Sequence, residues 1–172
     1  MKLLIVVDMQ NDFIDGALGT AEAVSIVPNV QERIETCRRE GWQIVFTRDT
    51  HGTDYLETQE GRRLPVEHCL AGSKGWMVRE GLSRKGDPMI DKPSFGSETL
   101  AQYVKILKPD EIELIGLCTD ICVISNALIV KAALPEVPVA VRASCCAGVT
   151  PESHETALRA MQACQIDILR EA

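Results

Sequence analysis

Cys122 stands in the run Gly116-Leu117-Cys118-Thr119-Asp120-Ile121-Cys122-Val123, where a thiol could serve as a nucleophile. Glu111 to Gly116 alternates charged and apolar residues like a strand. From Asp120 to Leu134 apolar residues recur at helical spacing, with Thr119 placed as the N-cap. The thiol therefore falls in the first turn of a helix. Unpaired N–H groups and the dipole at that end favour a thiolate. The same N–H groups could hold the oxyanion of a tetrahedral intermediate. Taken alone, Cys122 reads more simply as a small buried apolar residue.

Three further constellations could act with it. Asp8 closes the apolar run Leu3-Leu4-Ile5-Val6-Val7, and a carboxylate there is costly unless paired or used. Beside Cys122 it could take the thiol proton and return it to a leaving amine; on spacing alone it reads as a loop or helix cap. Asp49-Thr50-His51 puts two ligand-type side chains on one side of an extended chain. With His68 they make a divalent-metal set, and two of the chain's three histidines fall in this stretch. An ordinary polar surface loop is the equal alternative. Glu60 is a further candidate ligand, in competition with Glu57 and Glu67. Lys92 sits in Asp91-Lys92-Pro93-Ser94-Phe95-Gly96-Ser97, directly after a short strand. Near Cys122 and Asp8 its cation would lower the thiol pKa and steady the carboxylate; elsewhere it is a solvated surface lysine. His154, in the last helix, reads as an ordinary surface residue.

Alternating strand-like and helix-like segments must position these groups. Strands are expected at Leu3 to Val7, Trp42 to Thr47, Met89 to Asp91, Ile112 to Leu117, Val137 to Val141 and Ile166 to Leu169. Helices are expected at Glu22 to Glu40, Glu98 to Leu107, after Thr119, and after the Thr150 cap with Pro151 at its first position. The stretch from Arg48 to about Gly86 is irregular and long enough to be functional. Such alternation predicts an α/β fold: three α/β/α layers around a mostly parallel sheet, with ligands bound beyond the carboxyl ends of the strands.

The 172 residues are expected to form one domain, 1–172, and a 45% hydrophobic composition can fill its core. A net charge of -7 without a basic stripe speaks against nucleic acid as partner. No apolar run is long enough to span a bilayer, and the N-terminus turns acidic too soon for a signal peptide. Seven cysteines without CxxC spacing or a disulfide framework fit a reducing cytoplasm, with Cys145 and Cys146 as packing residues.

In one order the chain carries Asp, Asp-x-His with a later His, Lys, then Cys. Here it resembles the isochorismatase-like cysteine hydrolases, and within them the nicotinamidase branch. The most specific matches are Leu3-Leu4-Ile5-Val6-Val7-Asp8-Met9-Gln10-Asn11-Asp12-Phe13 and Gly116 to Val123. The resemblance implies a catalytic triad of Asp8, Lys92 and Cys122. It implies oxyanion donors at the N–H groups of Cys118 and Cys122, with a non-proline cis peptide between Leu117 and Cys118. It also implies a divalent ion, zinc or else iron or manganese, on Asp49, His51 and His68, with Glu60 the best match for an added ligand. Phe13, Leu64 and Phe95 would line the pocket. Amide hydrolysis is the implied activity, on nicotinamide in NAD salvage or on an N-carbamoyl or other small amide. The family also implies a homo-oligomer. Leu64 departs from the pattern: the nicotinamidase branch usually has an aromatic residue there, and one extra residue precedes His68. That removes a stacking wall for a pyridine ring. Isochorismatases proper lack the cysteine and the metal, which argues against vinyl-ether chemistry. A redox-sensing protein that keeps the fold is the remaining alternative.

Overall fold

The computed structural model describes residues 1–170. Its centre is a six-stranded, all-parallel sheet in the order β3-β2-β1-β4-β5-β6. The strands are β1 (Lys2–Val7), β2 (Gln43–Asp49), β3 (Met89–Lys92), β4 (Glu111–Leu117), β5 (Val139–Ala147) and β6 (Asp167–Leu169). The helices are α1 (Asn11–Ile14), α2 (Ala21–Arg39), α3 (Gln59–Arg63), α4 (Glu98–Leu107), α5 (Ile124–Ala133) and α6 (Pro151–Ala163). No helix among the described residues is long and apolar enough to cross a membrane.

β1 explains the layering. Leu3, Ile5 and Val7 enter one core, with Leu100 and Val104 of α4, Ala127 and Val130 of α5, and Leu158 and Met161 of α6. Leu4 and Val6 enter the other, with Ile26, Val30 and Ile34 of α2. All five β1 residues are fully buried, so the continuous apolar run serves both faces. Each such side chain contributes roughly 1.5–3 kcal/mol. From β1 the chain winds to β2 and β3 on one side, then returns to β4, β5 and β6 on the other. The β1/β4 boundary is therefore the switch point, where a crevice opens at the carboxyl ends.

Several expected elements differ in detail. β5 runs to Ala147 rather than stopping at Val141, because Ala143, Cys145 and Cys146 stay buried; both cysteines pack, as expected. The irregular stretch contains a 3-10 turn at Tyr55–Glu57 and the short α3, whose cap Thr58 accepts from the Gly61 N–H. The helix after β4 opens as a π-turn, Thr119–Val123, before α5. Its N-cap position is Cys118, not Thr119, and the Thr119 hydroxyl bonds His154 instead. Glu113 is not the solvated charge of an alternating strand. It is buried, and Arg33 and Arg142 each grip it with two hydrogen bonds.

Candidate active site

Every residue singled out from the sequence for the triad lies in the crevice. Asp8 follows β1 in a left-handed conformation (φ 47) that turns its side chain under the sheet edge, where it is fully buried. Thr47 at the end of β2 donates its hydroxyl to Asp8 Oδ1 at 2.6 Å. Lys92, the last residue of β3, reaches Asp8 Oδ2 at 2.7 Å, and that oxygen has no other partner. Lys92 Nζ also lies 3.6 Å from Cys122 Sγ, 3.5 Å from Asp49 Oδ1 and 3.0 Å from the Ser94 carbonyl.

Burial works against the Lys92 charge, but Asp8, Cys122 and Asp49 together hold its pKa well above the ordinary lysine range. Burial pushes Asp8 up, with Asp49 adding to it and Lys92 opposing. Burial also lifts the Cys122 thiol well above its usual range, with the Asp8 carboxylate adding to the effect and Lys92 opposing it. Burial thus favours the neutral thiol at Cys122. This corrects the thiolate expected from the helix terminus alone: loss of hydration outweighs the dipole.

The metal candidates also converge. Asp49 ends β2, and its Oδ2 lies 2.8 Å from His51 Nε2 and 3.5 Å from His68 Nε2. Glu60 Oε1, on α3, lies 3.7 Å from each of the same nitrogens. All four donor atoms fall within 4.8 Å of one another. His68 Nδ1 is 2.8 Å from the Val66 carbonyl, which can only accept. That bond puts a ring proton on Nδ1 and turns Nε2 toward the Asp49 and Glu60 carboxylates. Four ligand-type atoms gathered around one point, two of them imidazole nitrogens, fit a divalent cation. Tyr55, fully buried, meets both imidazoles edge-on and donates its hydroxyl to the Leu64 carbonyl.

A small cavity of about 50 Å³ joins the two clusters, lined by Phe13, Leu64, Phe95, Cys118 and Cys122 together with Asp49, Glu60 and His68. It shares Glu60, Leu64, Phe95 and Ile121 with an outer cavity of about 320 Å³, which adds Gln59, Arg63 and Ser94. A larger cleft of about 420 Å³ beside α6 has none of these groups on its wall. The Leu117–Cys118 peptide is cis.

Four supporting residues escaped the sequence reading. Buried Gln10 donates to the carbonyls of Asp49 and Trp76 and accepts from the Asp49 N–H, so it sews β2 to the long loop. Asp12 accepts from the Cys69 N–H, next to His68. Both belong to the opening run whose resemblance was noted, which is the signal that could have found them. Asn126 donates to the carbonyls of Cys122 and Phe95 and accepts from Ser97, tying the thiol's turn to the Lys92 loop. His154 was read as an ordinary surface residue. It is half-buried and sits 2.7 Å from Thr119.

An all-parallel α/β sheet with a thiol, a buried Asp–Lys pair and an Asp/His/His/Glu cluster at its switch point defines the class of the protein. The chain belongs to the isochorismatase family: the isochorismatase domain matches residues 2–172. It is similar to the zinc-complexed pyrazinamidase of Pyrococcus horikoshii, at 28% identity and a TM-score of 0.86 over 99% of both chains. It is also similar to the N-carbamoylsarcosine amidase of Thermoplasma acidophilum, at 28% identity and a TM-score of 0.81 over 98% of this chain and 95% of that one. The nicotinamidase of Saccharomyces cerevisiae is 24% identical, with 74% of this chain and 80% of that protein covered.

Proposed function

We propose that this single-domain chain is a cysteine-dependent, metal-containing amidohydrolase that converts a small carboxamide, in the first instance nicotinamide, to the carboxylate and ammonia. One observation carries the reading: Cys122, the Asp8–Lys92 pair and the Asp49/His51/Glu60/His68 cluster meet at one cavity. The similarity to the pyrazinamidase and the nicotinamidase supports it.

Asp8 takes the proton from Cys122 as Sγ attacks the amide carbon. The carbonyl electron pair moves onto oxygen, where the N–H groups of Cys118 and Cys122 receive it. Asp8 returns the proton to the nitrogen, and ammonia leaves as the carbonyl re-forms. Water then gives a proton to Asp8 and attacks the thioester, and collapse releases the acid and restores the thiol. Lys92, 2.7 Å from Asp8 and 3.6 Å from Sγ, offsets the negative charge as it passes between them. Asp49, His51, His68 and Glu60 would hold the ion, zinc in this reading, with iron or manganese compatible with the same donors. When bound, the ion supplies a Lewis-acid site for a substrate lone pair, such as that of a pyridine nitrogen, and so orients the substrate.

The test is ammonia release from nicotinamide by the purified protein, with and without chelator, compared with Cys122→Ser. Turnover that chelation and the substitution each abolish is the expected result; full activity in Cys122→Ser would end the proposal.

A second reading keeps the chemistry and changes the substrate to an anionic N-carbamoyl compound. Leu64 offers no aromatic wall. Arg63, exposed at the end of α3, lines the outer cavity, and its guanidinium has no partner among the described residues. A carboxylate on the substrate would pair with it. Under this reading N-carbamoylsarcosine is turned over, and Arg63→Ala raises its KM without changing that of neutral amides.

A further inference from the structure

The π-turn Thr119–Val123 contains Cys122 and has Cys118 at its N-cap position, the two residues whose N–H groups are proposed as oxyanion donors, and it carries no side-chain cap. The Ile121 and Val123 N–H groups both close on the Cys118 carbonyl, so neither proposed donor N–H takes part in that pairing. The turn is held instead from neighbouring elements. Asn126 and Ser125 of α5 bond the carbonyls of Cys122 and Ile121. The other two ties come from the β5–α6 corner. Val149 donates its N–H to Asp120 Oδ1 at 3.1 Å, and His154 Nδ1 lies 2.7 Å from the Thr119 hydroxyl.

The Thr119–His154 bond is the more telling of the two. Thr119 is fully buried, so its hydroxyl must find a partner inside the protein, and His154 is the one it has. His154 is itself held firmly. It is the fourth residue of α6, its N–H donates to the Thr150 carbonyl at 3.0 Å, and Thr150 and Ser153 form a reciprocal capping box around the helix start. Burial holds the imidazole below its ordinary range, so the ring is neutral at pH 7 and can accept from a hydroxyl. Its other side borders a surface cleft of about 190 Å³, away from the catalytic cavity, so it has no route to the substrate.

We propose that His154 is a positioning residue: through Thr119 it fixes the backbone turn that aims the Cys118 and Cys122 N–H groups at the developing oxyanion. The proposal rests on the reading of Cys122 as nucleophile. It acts on the transition state and not on substrate capture, because Phe13, Leu64, Phe95 and the Asp/His/His/Glu cluster sit on other elements.

The experiment compares wild type with His154→Ala, His154→Asn, Thr119→Val, Thr119→Ser and Cys122→Ser. It reads ammonia release from nicotinamide and inhibition by pyridine-3-carbaldehyde, whose addition to the thiol puts an alkoxide on the same N–H groups. His154→Ala and Thr119→Val are expected to lower kcat about tenfold to a hundredfold. KM should stay within about twofold, and aldehyde affinity should fall by the same factor as kcat/KM. His154→Asn, whose amide reaches the Nδ1 position, and Thr119→Ser should recover most of the loss. Unchanged kcat and aldehyde affinity in His154→Ala, while Cys122→Ser is inactive, would overturn this proposal alone. A loss that Asn does not rescue and that tracks a fall in Tm would also overturn it, since that is what a merely structural histidine does. Wild type that releases no ammonia from either nicotinamide or N-carbamoylsarcosine and is not inhibited by the aldehyde would remove the nucleophile reading and this proposal with it.

Discussion

Gly116→Ala should cripple both stability and catalysis, because at Gly116 the backbones of β1 and β4 approach too closely for a side chain, just before each strand delivers a residue of the proposed site. Gly116 pairs with Val7, and the next residue along β1 is Asp8. Two residues beyond Gly116 the chain reaches Cys118. Its φ of +120 is a conformation that side chains rarely adopt. A Cβ there would lie 2.1 Å from the Val7 carbonyl oxygen and 2.9 Å from its carbonyl carbon and nitrogen. These are backbone atoms and cannot rotate away. The conformation costs about 1–3 kcal/mol, and forcing apart a packed backbone about 1–3 kcal/mol more. The total of roughly 2–6 kcal/mol is a large share of the stability of about 5–15 kcal/mol usual for a domain. At about 2–4 °C per kcal/mol for a chain of this size, Tm should fall by roughly 10 °C. A shift of about 1 Å between Asp8 and the Cys118–Cys122 turn should cost about a hundredfold in kcat. Gly41→Ala is the control. Gly41 has φ +77, but a Cβ there meets nothing within 4 Å, so only the backbone conformation is penalised, by about 1–2 kcal/mol. Urea denaturation and ammonia release measure both effects. A Gly116→Ala protein within about 1 kcal/mol of wild type, or no less stable than Gly41→Ala, would refute the close-approach argument.

Glu113→Gln should destabilise the protein by about 3 kcal/mol at neutral pH, since it removes the buried carboxylate that Arg33 and Arg142 both grip. Burial raises the Glu113 pKa, but hydrogen bonds from Arg142 and Arg33 more than offset this and hold the carboxyl below its usual 4.5. A depressed folded-state pKa contributes stability above the unfolded value and loses it as pH falls through the folded one. The gap between wild type and Glu113→Gln should therefore be full at pH 7 and close in acid below pH 4.5; a gap that widens in acid would contradict the pairing. Lys108→Gly should raise stability by a few tenths to about 1 kcal/mol, because Lys108 caps α4 in a left-handed conformation (φ 49). A lower midpoint in thermal melts would count against it. His68→Ala should lose bound divalent metal by elemental analysis while keeping a wild-type far-UV spectrum. Retention of a full equivalent of metal would remove His68 from the ligand set.

Much of the fold was readable because its signals are local. The run Leu3 to Val7 has no polar face, which suits a strand covered on both sides, and the periodic residues from Glu98 to Leu107 marked α4 at its observed bounds. Asp8, Asp49, Lys92 and Cys122 were found because each sits at or just past a strand's carboxyl end, and a parallel sheet brings those ends together. What escaped depended on partners distant in sequence. Thr119 looked like a cap until His154, 35 residues on, took its hydroxyl. Glu113 looked solvated until Arg33, 80 residues away, and Arg142, 29 residues away, closed over it. Gln10 and Asn126 carry no local sign of what they bond.

The sequence by itself determined which segments become strands and helices, which faces are apolar, and which side chains of a catalytic kind end up at the same edge of the sheet. Those properties follow from hydrophobic period and capping, which act within a few residues. Tertiary structure alone decided the ionisation and the distances. The thiol is neutral because the assembled sheet strips its water, against the pull of its own helix. The Asp49/His51/Glu60/His68 cluster, the proposed metal site, forms because a loop folds back until four ligand-type atoms lie within 4.8 Å of one another. Desolvation and convergence are properties of the packed whole, so no local pattern encodes them.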